Sequence, residues 1–229
     1  DFSFAKCYSN PVVTSASGSY HRFQTCTTAL NAHKGQITVE TAMEILRSHE
    51  PRIQNDPFTH SSLRSVCMHG GFIFGDHTTG SYVASLTATG ATYWLTGSST
   101  PCIAVFKPYW LTDIPNQLVF PEAKQNDSLA FWHLRERLHR LVLENRVPNL
   151  QEYISQRDAL EKEFLRRAVA VNCTPSNTEE LHAIMESAVE QETALVTKTI
   201  NESQGKKAKI RGNPYYRWYW RKQTRKLGS

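Results

Sequence analysis

The sequence predicts an α+β fold in which an antiparallel sheet is covered by helices. Between residues 65 and 111, four short runs rich in β-branched and aromatic residues are separated by Gly or Pro, as in neighbouring strands. After residue 125 the pattern changes to three long amphipathic segments. Because strands and helices are segregated along the chain, an antiparallel sheet is favoured over a doubly wound parallel one.

The first fifty residues predict one strand and one helix. Apolar and polar residues alternate from Phe2 to Tyr8, which predicts a half-buried strand, and Asn10 with Pro11 marks a break. Thr38 is a suitable N-cap for a helix, and Pro51 ends that helix. Its apolar stripe consists of Val39, Ala42, Met43 and Leu46.

The central runs predict adjacent antiparallel strands with a turn at Thr89 and Gly90. The runs are SVCMHGGF, GSYVASLTATG, ATYWLTGSS and CIAVFKPYWL. Strand periodicity places Cys67 and Cys102 in the interior. The other side chains expected to point inward are Val83, Leu86, Tyr93, Leu95, Ile103 and Val105.

Three helices are predicted to follow. The first covers residues 128–146 and the second about 149–173, with Pro148 between them. Ser176 and Glu179 form a capping box that opens the third, which runs to about Glu202.

The chain divides into three predicted regions. Residues 1–125 form the main domain, 126–204 a helical extension packed on it, and 205–229 a basic aromatic tail. The tail holds nine of the 26 basic residues and no acidic residue, which leaves 17 basic and 21 acidic residues elsewhere. The body is therefore mildly acidic, and the net charge of +5 belongs to the tail.

The five cysteines are widely spaced, and no His/Cys pair has a zinc-like spacing. We therefore expect reduced, buried thiols in a non-oxidising compartment such as the cytoplasm, with no metal and no other cofactor. Three acceptor patterns for N-glycosylation, at Asn126, Asn172 and Asn201, keep a lysosomal or secreted location open.

Cys67 and His69 are the sharpest local pattern, and they have two interpretations. They can form a thiolate–imidazole pair, or they can be a buried thiol and a hydrogen-bonded imidazole in the core. Arg22, which follows a Ser-rich stretch and precedes Phe23, can orient a carboxylate or stabilise developing negative charge. Its alternative is an ordinary packing role.

The tail interleaves aromatic and basic residues in the run NPYYRWYWRKQTRK. This pattern suits nucleic acid, a membrane surface, or a segment that packs its aromatic rings on its own body. The acidic body favours the third interpretation, so nucleic acid is not expected as a partner.

Several of these runs, taken in order, resemble the secernin and C69 dipeptidase family. The runs are SVCMHGG, TTGSYVASL and YWLTGSSTPCIAVFKPYWL, with TVETAMEILRSH and DFSFAKCYSNP upstream and DSLAFWHLRERLHR downstream. The resemblance covers about residues 1–145. It implies an αββα sandwich of the N-terminal-nucleophile hydrolase type. It also implies hydrolysis of linear amide bonds by an N-terminal cysteine whose own amine is the general base.

This chain departs from that family at the nucleophile, because its first residue is Asp1 and Cys7 lies inside a predicted strand. The expectation is that this chain is the C-terminal part of a cysteine dipeptidase, inactive without an N-terminal fragment of the same precursor. Arg22 with Phe23 resembles the context of a functional arginine in the related choloylglycine hydrolases, which implies a catalytic role for Arg22. Asn10 is predicted as a residue of the polar pocket. The implied substrate is a dipeptide or other small amide.

Two other classes of function stay open. One is a non-catalytic, secernin-like interaction module, in which a homo-oligomer is one of the assemblies to consider. The other is a binder of nucleic acid or membrane through the basic tail.

Overall fold

A computed structural model describes residues 2–73, 77–88, 90–111, 125–172 and 178–227. The helices are α1 (Phe4–Tyr8), α2 (Pro11–Ala16), α3 (Ser19–Ala32), α4 (Val39–Leu46), α5 (Gln125–Leu143), α6 (Leu150–Asn172), α7 (Thr178–Glu202) and α8 (Pro214–Leu227). The strands are β1 (Tyr82–Thr87), β2 (Gly90–Leu95) and β3 (Lys107–Tyr109), and Pro57–Thr59 forms a 3-10 turn. The predicted mixture of helices with an antiparallel sheet is confirmed.

The sheet has the order β1-β2-β3, and both of its pairings are antiparallel. It is smaller than predicted. Residues 65–72 contribute only an isolated bridge between Ser62 and His69, and residues 102–106 form a loop. The predicted turn residue Thr89 lies outside the described residues, and Gly90 opens β2.

The side chains of β2 that face the core are Thr92 and Trp94, which are both 2% exposed. The predictions of Leu86 and Leu95 as inward residues are wrong, since they are 73% and 38% exposed. Tyr93 and Leu95 share one face of β2, so a register placed one residue off puts both on the face opposite to Trp94. Leu86 lies three residues after the half-buried Val83 and therefore on the other face of β1. Val105 is buried as predicted, although it lies in a loop.

The predicted strand at Phe2 to Tyr8 is also wrong, because residues 4–8 form the single-turn helix α1. The amide of Cys7 donates to the carbonyl of Ser3. A strand needs a neighbour to accept its backbone hydrogen bonds, and no described strand pairs with this segment. Local i→i+4 bonds satisfy the backbone instead.

The helices cover the sheet and form most of the core. α4 begins at the predicted cap, where the Thr38 hydroxyl accepts from the amide of Thr41. α5, α6 and α7 appear close to their predicted bounds, and α7 contacts β3. Phe164 of α6 and Met185 of α7 are fully buried with Trp94 in one apolar cluster. None of the described helices has the length and apolarity that crossing a bilayer requires.

A buried ion triad joins the sheet to two helices. Lys107 of β3 and Arg135 of α5 both donate to the carboxylate of Glu192 on α7, at 2.5 and 2.6 Å. Their side chains are at most 3% exposed. Burial and the Arg135 charge lower the pKa of Lys107, while the two cations lower the pKa of Glu192 against the opposing effect of burial.

The tail folds back as α8 and packs on the body, as predicted. Tyr216 and Trp220 are 1% and 2% exposed, and the Trp220 indole donates to the carbonyl of Gly70 at 3.2 Å. Gly71 has φ +119°, and a Cβ there would lie 2.5 Å from the Tyr216 ring. The glycine pair after His69 therefore permits the close approach of α8.

Candidate metal centre

Four side chains from three separate segments converge at one place in the fold. His49 follows α4, Cys67 and His69 lie in the loop before β1, and Cys102 lies in the loop between β2 and β3. Their ligand-type nitrogen and sulfur atoms all lie within 4.8 Å of one another. Cys67 and His69 are buried, while His49 and Cys102 are half-buried.

The individual distances centre on the Nε2 atom of His69. It lies 3.0 Å from Nε2 of His49, 3.6 Å from Sγ of Cys67 and 3.5 Å from Sγ of Cys102. In a tetrahedral zinc site, the known Zn–N and Zn–S bond lengths place ligand atoms about 3.3–3.8 Å apart. The observed separations are close to those edges.

Backbone and hydroxyl contacts fix the loop that carries Cys67 and His69. The amide of Cys67 donates to the carbonyl of Ser48, and the amide of Ser62 donates to the carbonyl of His69. The Ser65 hydroxyl accepts from the amide of Glu50. Side chains and neighbouring loops thus satisfy the backbone here, which explains why the run is not a regular strand.

The loop that carries Cys102 is held by long side chains from the helices. Arg157 donates to the carbonyl of Cys102, and Arg47 donates to the carbonyls of Pro101 and Ala104. Arg47 also forms an ion pair with Glu161, whose carboxylate accepts from the amide of Phe106. The position of Cys102 therefore depends on α4 and α6.

The two thiols of the cluster differ in acidity. Burial raises the pKa of Cys67 well above its ordinary value. Burial acts in the same direction on Cys102, but the hydrogen bond from Cys67 and the neighbouring His69 imidazole hold the pKa of Cys102 well below its ordinary value. Of the two thiols, Cys102 is therefore the more acidic.

Aromatic packing orients the His69 ring. Phe58 meets it edge to face at 4.8 Å, and His77 lies 6.2 Å away on another side. Nδ1 of His69 is buried and has no hydrogen-bond partner in the described chain. Burial and the nearby His139 and His69 lower the pKa of His77 to about 2, so His77 is neutral at physiological pH.

A cleft of about 570 Å³ opens on the half-buried side of the cluster. His49 and Cys102 line it, together with Phe58, Val142 and Ile154. An ion or a reagent in solution can thus approach from this side, whereas Cys67 and His69 lie behind it.

Asn10 and Arg22, the two predicted site residues, have contacts that stabilise the local structure. The Asn10 side chain caps α2 by accepting from the amides of Val12 and Val13. Arg22 donates to the carbonyls of Ser17 and Leu63, which ties α3 to the loop before Cys67. Within the described chain neither side chain bonds to the four cluster residues, and their catalytic roles stay predictions.

Sequence reasoning singled out Cys67 with His69 and missed the other two members. It also predicted no metal, because no spacing along the chain resembled a zinc motif. The only local signal was the closeness of a thiol and an imidazole at positions i and i+2. His49 lies 18 residues before Cys67, and Cys102 lies 33 residues after His69, so only the tertiary fold brings the four side chains together.

Comparison of the chain with protein-family models, with curated proteins and with solved structures finds no match.

Proposed function

We propose that this chain binds one divalent metal ion of the zinc type through His49, Cys67, His69 and Cys102, and that the ion has a structural role. The observation that carries the proposal is the convergence of all four donor atoms within 4.8 Å. Two thiols and two imidazoles are a typical donor set for tetrahedral zinc.

A catalytic thiol–imidazole pair accounts for the cluster less well. Such a pair needs one sulfur and one imidazole, whereas this cluster places a second of each beside them. Nε2 of His69 faces three other donor atoms at 3.0, 3.6 and 3.5 Å, and a neutral imidazole nitrogen cannot form a good hydrogen bond to all of them. A cation between them satisfies all four at once.

The number of protein ligands indicates that the role of the ion is structural. Four protein ligands close a tetrahedral zinc site and leave no position for a reactive water, as in structural sites. The bound ion would supply cross-links among three segments, those carrying His49, Cys67 with His69, and Cys102. Thr100, whose hydroxyl lies 3.2 Å from Sγ of Cys102, is placed to bond that sulfur.

The purified chain is expected to contain one zinc per molecule by elemental analysis. Replacement with Co²⁺ should give the visible absorption of a tetrahedral thiolate site. Cys67→Ser or His69→Ala should abolish both signals, because each removes a ligand. Cys26→Ser and His33→Ala are the matched controls and should leave both unchanged, since these residues lie in or beside α3.

Two results would contradict the metal centre. One is metal content that is equally low in the parent protein and in Cys67→Ser after purification with added zinc. The other is an intact mass two units lower without reductant, which would show that Cys67 and Cys102 form a disulfide instead.

A second function, amide hydrolysis, is proposed on the sequence resemblance to secernins and C69 dipeptidases, with its αββα sandwich. One observation favours it, namely that the runs carrying the resemblance meet in space. Met68 and Thr78 exchange hydrogen bonds, and the Thr96 hydroxyl accepts from the amide of Ser81. In this proposal the nucleophilic cysteine is outside the 229 residues, and the partner is a fragment of the same precursor.

The 229-residue chain alone is expected to have no dipeptidase activity, because its thiols lack the free amine that this mechanism uses as its base. The measurement is hydrolysis of a panel of dipeptides with and without thiol reductant. Hydrolysis that disappears in Cys102→Ala would instead identify an internal nucleophile and refute this second proposal. Loss of hydrolysis in Cys67→Ala, with hydrolysis retained in Cys26→Ser, would lead to the same conclusion.

A further inference from the structure

The outer face of α8 carries charge and aromatic surface that docking does not use. Tyr216 and Trp220 lie on the inner face and are buried. On the opposite face, a stripe at helical spacing consists of Tyr215, Trp218, Lys222 and Arg225. Tyr215 is 42% and Trp218 is 53% exposed.

Most basic side chains around this stripe form no ion pair within the part of the chain that the structure describes. Residues 205–227 contain nine basic and no acidic residues, and Arg211 is paired with Asp56. Seven of the others have no carboxylate within ion-pairing distance among the residues that the structure describes. They are Lys206, Lys207, Lys209, Arg217, Arg221, Lys222 and Arg225. The rest of the chain has a net negative charge, so the positive charge is concentrated in and next to α8.

We propose that the outer face of α8 binds an anionic lipid membrane surface, with the helix lying in the plane of the headgroups. Basic side chains are attracted to anionic headgroups, and Trp and Tyr are stable at the interface between headgroups and acyl chains. Tyr216 and Trp220 hold the helix on the body, so its cations and exposed rings are presented together without a folding step.

The ring arrangement favours a membrane over single-stranded nucleic acid. The Lys222 ammonium lies 5.1 Å from the centre of the Trp218 ring, and Tyr215 packs beside that ring at 5.6 Å. The chain's own side chains thus occupy part of the surface on which a base would stack. Insertion at a lipid interface requires no free ring face. This inference does not depend on the metal centre.

The test is sedimentation of the full chain with vesicles of phosphatidylcholine alone and with 30% phosphatidylserine, at low and high salt. Binding is expected only to the anionic vesicles and should weaken at high salt. The triple variant Arg221→Gln, Lys222→Gln, Arg225→Gln should bind about 100-fold more weakly, since each cation near an anionic surface contributes about fivefold. The charge-matched control is Lys34→Gln, Arg52→Gln, Arg166→Gln, which removes three exposed cations elsewhere and should bind like the parent protein.

Tryptophan fluorescence tests whether Trp218 enters the lipid interface, which a purely structural role of this side chain would not require. Lipids brominated near the headgroup should quench the tryptophan fluorescence of the parent protein. At vesicle concentrations that saturate binding, Trp218→Phe should lose most of this quenching while its melting temperature is unchanged. Unchanged quenching in Trp218→Phe would refute the proposed orientation of α8.

Three outcomes would overturn the membrane proposal. The first is equal binding to neutral and anionic vesicles. The second is equal loss of binding in the α8 triple variant and its charge-matched control. The third is the absence of vesicle binding together with salt-sensitive binding to a single-stranded oligonucleotide, which would identify the face as a nucleic-acid surface.

Discussion

Glu192→Gln is expected to destabilise the protein by about 3–5 kcal/mol, because it leaves two buried cations without a counter-charge. Lys107 and Arg135 both donate to this carboxylate, and Glu192 is only 1% exposed. For a chain of this length, the loss corresponds to a fall in melting temperature of about 6–20 °C. Thermal and urea unfolding of the purified variant measure it.

Arg135→Met is the informative control within the same triad. It removes one cation and leaves Lys107 paired with Glu192, and Lys107 keeps its bonds to the carbonyls of Thr96 and Val105. Its cost should therefore be clearly smaller than that of Glu192→Gln. Equal destabilisation by the two variants would show that packing, and not charge balance, determines the stability of this region.

The Glu192 carboxylate also predicts how the difference in stability between the parent protein and Glu192→Gln changes with pH. The pKa of Glu192 is lower in the folded protein than in the unfolded chain, where a Glu titrates near about 4.3. Its stabilising contribution is fully present above that value and is lost as the pH falls below it. The difference in unfolding free energy between the parent protein and Glu192→Gln should thus shrink as the pH falls from 5 to 3.

The sequence predicted α4 to α7 but not the other helices, and it predicted the sheet only in part. α5, α6 and α7 have long amphipathic periods, and the Asn149 side chain caps α6 by accepting from the amide of Glu152, so these helices follow from nearby residues. Strand formation depends on partners that are distant in sequence. The run SVCMHGG has strand-like composition, yet the side chains of Thr78 and His77 accept its amide protons at Met68 and Gly70. Composition alone does not show this competition.

The candidate site was less predictable than the fold. Cys67 and His69 are two residues apart in the sequence. His49 follows α4 and Cys102 follows β2, so only the tertiary fold brings these two side chains to the other pair. Cys102 further depends on Arg157 and Arg47, which hold its loop from α6 and α4. No periodicity in the sequence encodes that convergence. The docking of Tyr216 and Trp220 was predictable, because exposing so much aromatic surface is unfavourable.

Removal of the metal is expected to destabilise the protein strongly, because the ion would cross-link three segments that are distant in sequence. Binding at a thousandfold excess over the dissociation constant stabilises a folded protein by about 4 kcal/mol. For a chain of this length, that is a shift in melting temperature of about 8–16 °C. Melting curves with and without EDTA, under reducing conditions, measure the shift directly.

The variant series separates this linkage from ordinary packing. Cys67→Ser should melt at a low temperature that EDTA does not change, since the variant has already lost the site. Cys26→Ser should keep the full response to EDTA, because that half-buried thiol of α3 lies outside the cluster. Zinc added back after chelation should restore the melting temperature of the parent protein but not that of Cys67→Ser. A parent protein whose melting temperature is the same with EDTA and with zinc would show that the four side chains are held together by packing alone.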